Sequence, residues 1–275
     1  MRSILLHVYD DKAFEARLQV ALDFVRHFKG RITCAQAAPY DYGVPTDFYG
    51  AMSAEMVVDY EKTATRSRGE IEQRLAGEGV SWVWKSSRGA AVGLIGSCAP
   101  LHDVVIVGSN DPLGFPGSPS RFVGELIERV RAPILVVPES VRSFDFGAPA
   151  VVAWNGAPEC AHALRAALPA LRQASCVHVL QVAEKKKKKY KDKFDLPSTQ
   201  ALEYLAQHDL KSELIELQRE KGDSIAETLM KAAHAREAGF IVMGAYGHSR
   251  FRERMLGGVT RSMLSDPRLP LLLAH

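Results

Sequence analysis

The sequence predicts an α/β protein made of two tandem, doubly wound domains, each with a parallel sheet covered by helices on both faces. Two observations predict this fold class. Short apolar segments alternate with segments of helical periodicity along the 275 residues, a pattern typical of parallel sheets covered by helices. The same order of segments then recurs in the second half of the chain, which indicates two copies of one unit.

The internal repeat is clearest near the ends of the two halves. Ile134-Leu-Val-Val137 follows Ala-Pro, and Leu271-Leu-Leu-Ala274 follows Leu-Pro. Upstream of them, the apolar runs Val104–Gly108 and Phe240–Gly244 both end in glycine. Between the halves lies a short segment with serine, glycine and proline, a composition typical of linkers. The predicted domains are residues 1–140 and 149–275.

Individual elements follow from the periodicity of apolar residues. The predicted strands are 3–8, 31–37, 81–86, 103–108 and 133–137 in the first half, and 150–155, 176–182, 212–217, 239–243 and 270–274 in the second. The predicted helices are Ala13–Phe28, Ala54–Gly77, Ala90–Ala99, Arg121–Arg129, Ala157–Gln173, Ser198–His208, Ser224–Glu237 and Thr260–Ser265. Ligands of parallel sheets bind beyond the carboxyl ends of the strands, where strand order reverses. The loops after the first and fourth strands of each half are therefore the candidate ligand loops.

Composition and charge exclude several classes of function. A formal charge of +3 and 8% aromatic residues do not indicate a nucleic-acid partner. No apolar run reaches the roughly 18–20 residues that span a bilayer, and Ile4–Val8 is interpreted as a first strand, not as a signal peptide. Four cysteines without close pairs indicate reduced thiols and a cytoplasmic location. The histidines lack ligand spacing, so a metal held by the protein is not expected.

The segment Gly244–Thr260 is the strongest candidate site. Two glycine clusters bracket a polar loop that contains His248, Ser249 and three arginines. Glycines after a strand let a backbone approach a ligand, and amides at a helix start bind anions, so the segment could hold a phosphate. The alternative is a glycine-rich loop with its arginines in solvent. The local pattern alone leaves both interpretations open.

The spacing Gly244-x2-Gly247-x9-Gly257, between an apolar strand and a helix, resembles the universal stress protein family. Val151–Gly156 and Val177–Val182 are similar to that family's first and second strands, and Gly222-Asp223 to the start of a later helix. The resemblance implies five-stranded parallel sheets with strand order 3-2-1-4-5, in a tandem member of the family. It also implies a stress-response protein. Many members of the family bind ATP or another adenine nucleotide.

The resemblance places a site for ATP or AMP in the second half. Asn155 stands where the family usually has an aspartate against the adenosine, and the backbone of Val182 would meet adenine. Gly244 and Gly247 would let the backbone pass the phosphates, whereas Gly258 replaces a hydroxyl residue that binds phosphate. The implied nucleotide-binding residues are Asn155, Gly156, Val182, Gly244, Gly247, His248, Ser249, Gly257, Gly258, Val259 and Thr260. The resemblance implies no catalytic residue, and Mg²⁺ would enter only with ATP.

The first half departs from this pattern. Gly108 keeps the first glycine, but Asp111 stands where the second is expected and would repel a phosphate. Ser120-Arg121-Phe122 replaces Gly-Gly-Val, and Tyr9 or Asp10 would take the acidic position after the first strand. We therefore expect the first half to have a structural role and not to bind ATP.

Three classes of function remain open from the sequence. A non-enzymatic nucleotide-binding protein is favoured. A slow ATP hydrolase or phosphotransferase would need an acid near the γ-phosphate, and Glu253 is the only one in the loop. The third is an interaction protein that holds a partner or a small apolar ligand. The run Lys185–Lys189 is interpreted as a solvated loop in preference to a funnel for anions.

The final strands of the two halves suggest how the halves associate. Ile134–Val137 and Leu271–Ala274 are apolar and would be exposed edges if each half stood alone. We expect them to pair within one chain and form an intramolecular pseudo-dimer. Association of two such chains into a homodimer is left open.

Overall fold

The computed structural model describes residues 1–38, 65–109, 118–183, 196–245 and 257–275. Strands and helices alternate through both halves of this part of the chain. The strands are β1 Ser3–Val8, β2 Arg31–Ala38, β3 Ser81–Arg88, β4 Val104–Gly108, β5 Ile134–Val137, β6 Ala150–Ala153, β7 Val177–Val182, β8 Ser212–Leu217, β9 Phe240–Gly244 and β10 Leu271–Ala274. The helices are α1 Phe14–Phe28, α2 65–77, α3 Ala91–Cys98, α4 Arg121–Arg129, α5 Pro158–Leu171, α6 Ser198–Gln207, α7 Ile225–His234 and α8 Gly258–Ser265, with a 3₁₀ turn at Ala99–Leu101.

All ten strands form one continuous sheet with the order β3-β2-β1-β4-β5-β10-β9-β6-β7-β8. Within each half the strands are parallel and follow the order 3-2-1-4-5. The halves meet where β5 and β10 pair in antiparallel fashion, with Leu272 opposite Leu135. The predicted α/β class is therefore confirmed. The two five-stranded sheets are joined by this pairing, which covers two apolar edges that would otherwise be exposed.

Helices cover both faces of the sheet. Alternate strand residues enter opposite cores: Ile4 and Leu6 belong to the core that α1, α2, α5 and α6 cover, whereas Leu5 belongs to the core that α3, α4, α7 and α8 cover. Both cores extend across the junction of the halves, with Leu135 and Leu272 in one and Ile134 and Leu271 in the other. Within the described residues, no helix is long and apolar enough to cross a membrane.

Element boundaries differ from the predictions by a few residues. Strand β6 ends at Ala153, not at Asn155, and α8 begins at Gly258, before the predicted start at Thr260. Glycine is a poor helix former, so the first turn of α8 carries no helical signal in the sequence. The predicted helix Ala54–Gly77 is present from residue 65 onward, and its first part lies outside the described residues.

The segment between the halves is packed against both of them. Phe144 and Phe146 contact Phe24 of α1 with ring centroids 4.9 and 4.8 Å apart, and Phe144 also lies 5.1 Å from Phe240 at the start of β9. The backbone N–H of Phe144 donates a 2.8 Å hydrogen bond to Asp23 Oδ2. The segment therefore fixes α1 of the first half beside β9 of the second.

Candidate ligand site in the C-terminal half

A cavity of about 180 Å³ opens at the carboxyl ends of β6, β7 and β9, beside the start of α8. It contains most of the predicted site residues that the structure describes. Its lining comprises Ala153, Trp154, Asn155, Ala157, Glu159, Cys160, Leu180, Val182, Ile225, Leu229, Met243, Gly244, Gly257, Gly258, Val259 and Thr260. The predicted residues Gly247, His248 and Ser249 lie outside the described residues, as do Glu253 and Lys185–Lys189.

The end of β7 turns backbone polar groups toward this cavity. Leu180 and Val182 point their backbone groups to the β6 side, because Leu180 O accepts from Trp154 N at 2.9 Å while Ala183 N donates to Leu217 of β8 at 2.8 Å. Strand β6 ends at Ala153, opposite Leu180, so no β6 residue lies opposite Val182. Its N–H and C=O are therefore oriented to pair with a planar ligand.

Asn155 lies in the turn between β6 and α5 and orders the start of that helix. Its Oδ1 accepts hydrogen bonds from Ala157 N at 3.0 Å and from the Cys160 thiol at 2.9 Å. Burial raises the pKa of the Cys160 thiol above its ordinary value, so the sulfur keeps its proton and donates. The side chain of Asn155 is exposed at the cavity mouth.

Gly244 lacks a side chain for a different reason from the predicted one. A Cβ atom at this position would lie 2.7 Å from Cys160 N and from the carbonyl carbon of Glu159. Both are backbone atoms of α5, which cannot move aside cheaply. The glycine therefore allows α5 to pack against β9, a reason that the sequence alone does not show, and it also lines the cavity.

Gly156 is not among the residues that line the cavity, although the sequence placed it in the site. It is buried with a positive φ of 88°, a conformation that favours glycine. Its carbonyl accepts a 2.7 Å hydrogen bond from Leu196 N. This position thus shapes the turn and ties it to the segment that precedes α6.

The first turn of α8 has free space around it. Gly257 is the N-cap residue and has no side chain to accept from the amides of the turn, and a Cβ atom at Gly257 or Gly258 would meet no atom of the described residues within 4 Å. Thr260 is buried and lines the same cavity. Because no side chain caps this helix start and it faces a cavity, its N–H groups favour the binding of an anion there.

Several lining residues were not predicted from the sequence. Leu180 stands two residues before Val182 on β7, so strand alternation places it on the same face. Glu159 and Cys160 lie in the first turn of α5, directly after Asn155. Leu229 and Met243 lie in segments that were predicted only as a helix and a strand. No metal-ligand cluster of His, Cys, Asp and Glu occurs within the described part of the chain.

The first half has a buried arginine beside the end of β4. In the turn before α1, Asp11 makes the contact that Asn155 makes before α5, because its Oδ1 accepts from Ala13 N at 2.8 Å. Along the paired strands, the predicted Tyr9 corresponds to Asn155, since Ile4 pairs with Val104 as Ala150 pairs with Phe240. Arg17 is 1% exposed, pairs with Asp11 at 2.8 Å, and donates to Tyr9 O at 2.9 Å. A Cβ atom on Gly108 would lie 2.4 Å from the guanidinium, which occupies the space beside that strand end.

The start of α4 is also occupied by the chain's own groups. Ser120 caps the helix, with its Oγ accepting from Val123 N at 3.0 Å. Phe122 packs on the buried His7 ring at a centroid distance of 4.5 Å. Compared with α8, this helix start offers fewer free amides to an anion.

Comparison with known proteins finds a family match in the half of the chain that contains the cavity. A family model described as "Universal stress protein family" matches residues 149–275. No curated protein matches the sequence. A universal stress protein from Archaeoglobus fulgidus DSM 4304 is similar over 98% of this chain and 97% of its own, with a TM-score of 0.73 and 15% identity. A functionally unknown protein from Pseudomonas aeruginosa PAO1 gives a TM-score of 0.64 at 14% identity, over 99% of this chain and 92% of its own.

These two matches extend the fold over both halves of the chain. A shorter match, to a structure described as a universal stress protein in complex with cAMP, covers 46% of this chain and 97% of its own, with a TM-score of 0.32 and 16% identity. That ligand belongs to that protein. At these identities the similarity concerns the fold alone.

Proposed function

Because residues 149–275 of this chain belong to the universal stress protein family, we propose that they bind an adenine nucleotide, ATP or AMP, in the cavity described above. The role is that of a stress-response protein that binds the nucleotide without turning it over. The observation that carries the proposal is the uncapped start of α8, which faces the same cavity as the unpaired backbone edge of Val182.

The order of groups across the cavity fits the parts of a nucleotide. Val182 at the end of β7 offers an N–H donor and a C=O acceptor to a flat base, flanked by apolar Leu180 and Ile225. Asn155 at the end of β6 lies in the middle. Beyond it, the amides at the start of α8 would donate hydrogen bonds to a phosphate. Base, sugar and phosphate would lie in this order.

Gly258 provides the test of the phosphate position. We expect Gly258→Asp to weaken ATP and AMP binding at least tenfold, because a carboxylate would stand where the phosphate lies. The fold should persist, since a Cβ atom there meets no neighbour among the described residues and aspartate is favourable in a first helical turn. Isothermal titration calorimetry measures the affinity, and thermal unfolding checks the fold. Conversely, Gly258→Ser adds a hydroxyl donor and should tighten binding several-fold.

The chain offers a matched control in Gly93. It lies in the first turn of α3 in the other half, and a Cβ atom there also meets no neighbour within 4 Å. Gly93→Asp should leave nucleotide affinity unchanged. Equal affinities of the wild type and Gly258→Asp would contradict the proposed phosphate position. The stoichiometry should be one nucleotide per chain, because the corresponding helix start in the first half, that of α4, is capped by Ser120.

A small apolar ligand is the second candidate, favoured by the composition of the lining. Ala153, Leu180, Ile225, Leu229 and Met243 give the inner part of the cavity no polar side chain. Such a ligand would bind by burial of apolar surface. Two results together would favour this candidate. Millimolar ATP and AMP would give no heat of binding, and an apolar fluorescent dye would bind the wild type but not Leu229→Trp.

We further propose that residues 1–140 and 149–275 are two domains that form a pseudo-dimer through β5 and β10. Separated halves would each expose an apolar edge strand. We expect each half, produced alone, to form homodimers or aggregates in analytical ultracentrifugation. In the whole chain β5 and β10 are already paired with each other, so these edges should not mediate association. Two monodisperse, monomeric halves would disprove the pairing as the reason for association.

A further inference from the structure

The side-chain amide of Asn155 has only one orientation that its surroundings permit. Its Oδ1 accepts from Ala157 N and from the Cys160 thiol, which uses both lone pairs of the oxygen. With the amide turned over, Nδ2 would face the Ala157 N–H, and two donors would oppose each other. The oxygen therefore faces the start of α5.

The nitrogen of the same amide consequently faces away from α5. Asn155 is exposed and lines the cavity, and its Nδ2 donates no hydrogen bond to another residue within the described ranges. Toward a ligand, this residue presents two N–H donors and no acceptor. It also presents no charge, whereas a carboxylate at this position would direct a negatively charged oxygen to the same place.

We propose, building on the proposed function, that Asn155 makes the site selective for adenine nucleotides that carry a phosphate on the sugar ring, such as a 3′-phosphate. Asn155 lies between the base position at Val182 and the phosphate position at α8, so the sugar faces it. A donor-only, uncharged group favours an acceptor there, and phosphoryl oxygens are strong acceptors. Selectivity then comes from one residue that acts at the middle of the ligand.

Glu159 is the one carboxylate among the described residues that line the cavity, and it works against an added phosphate. Its Cβ lies beside Gly244, at the β9 side of the cavity. Repulsion at that distance is weaker than from a carboxylate in contact with the sugar. Glu159→Gln should therefore strengthen binding of the 3′-phosphorylated ligand more than binding of AMP.

The test compares AMP with adenosine 3′,5′-bisphosphate, two ligands that differ only by the ring phosphate. For the wild type we expect the bisphosphate to bind several-fold more tightly than AMP in calorimetric titrations, and equal or weaker binding would overturn the inference. For Asn155→Asp we expect it to bind at least tenfold more weakly than AMP. The substitution preserves the oxygen that Ala157 and Cys160 contact, so thermal unfolding should change little. Gln173→Glu, an exposed position after α5, is the control for the added charge alone.

Each outcome decides the inference. If the wild type and Asn155→Asp have the same ratio of affinities for the two ligands, the inference is wrong while the proposed function stands. If neither AMP nor ATP binds to the wild type or to any variant, the proposed function and the inference about Asn155 are both wrong. Amide NMR of uniformly labelled protein gives a readout without nucleotide: protection of the Ala157 N–H from exchange should persist in Asn155→Asp and be lost in Asn155→Leu.

Discussion

Replacing Asp11 with asparagine is expected to lower the free energy of unfolding by about 3 kcal/mol, because it leaves the Arg17 charge buried without its partner. Arg17 is 1% exposed and Asp11 17%, so the arginine cannot recover its hydration. Asparagine can still accept from Ala13 N, which keeps the turn before α1 intact. The change therefore isolates the charge. Urea unfolding followed by circular dichroism measures it.

Two further variants make the comparison sharp. Arg129 pairs with Glu125 on the surface of α4, where the side chains are 60% and 47% exposed, so Arg129→Asn should cost no more than about 0.5 kcal/mol. The double variant Asp11→Asn, Arg17→Met removes both buried charges and should be more stable than Asp11→Asn alone. A loss below about 1 kcal/mol for Asp11→Asn would show that the pair is structurally dispensable.

The second large effect is a loss of stability in acid that depends on His7. Burial, assisted by the nearby charge of Arg17, lowers the pKa of His7 from its ordinary value of 6.5 to about 3. In the unfolded chain the imidazole takes up a proton as the pH falls through 6.5, whereas in the folded chain it stays neutral until about pH 3. The contribution of His7 is therefore complete above pH 6.5 and is lost progressively between pH 6.5 and 3.

In the middle of this pH range, the free energy of unfolding should fall by about 1.4 kcal/mol per pH unit, which corresponds to the uptake of one proton on unfolding. The glutamine side chain of His7→Gln cannot be protonated. Between pH 7 and 4, the slope of its free energy of unfolding against pH should therefore be smaller than that of the wild type by the contribution of one proton. Urea midpoints at several pH values give the comparison. His234→Gln, at the exposed end of α7, should retain the wild-type slope. Identical slopes for His7→Gln and the wild type would refute this account.

Most of the fold could be predicted from the sequence, because strand segments are short, apolar and punctuated by glycine or proline. The repeat added the strongest constraint: matching Ile134–Val137 with Leu271–Ala274 predicted that these two strands pair with each other. Position along the chain, however, does not give the length of a turn. The residue that bonds to the start of α1 as Asn155 bonds to the start of α5 is Asp11, which the sequence did not single out.

The candidate site was predicted in part. Glycines, the end of β7 and the helix start are local signals, and the structure brings Val182, Gly257 and Thr260 to one cavity. Contacts between distant elements leave no such signal. The reason for Gly244 lies in α5, more than eighty residues earlier, and a burial of 99% for Arg17 contradicts what its charge predicts.

The antiparallel pairing of β5 with β10 also sets the directions in which the two halves face. Since these strands run in opposite directions, the carboxyl ends of the parallel strands in the two halves lie at opposite ends of the sheet. A ligand at the carboxyl ends of β6, β7 and β9 therefore cannot contact the loops that follow β1 and β4. The two sets of candidate ligand loops are separated by the full length of the strands, so a substitution in one set acts on one half only.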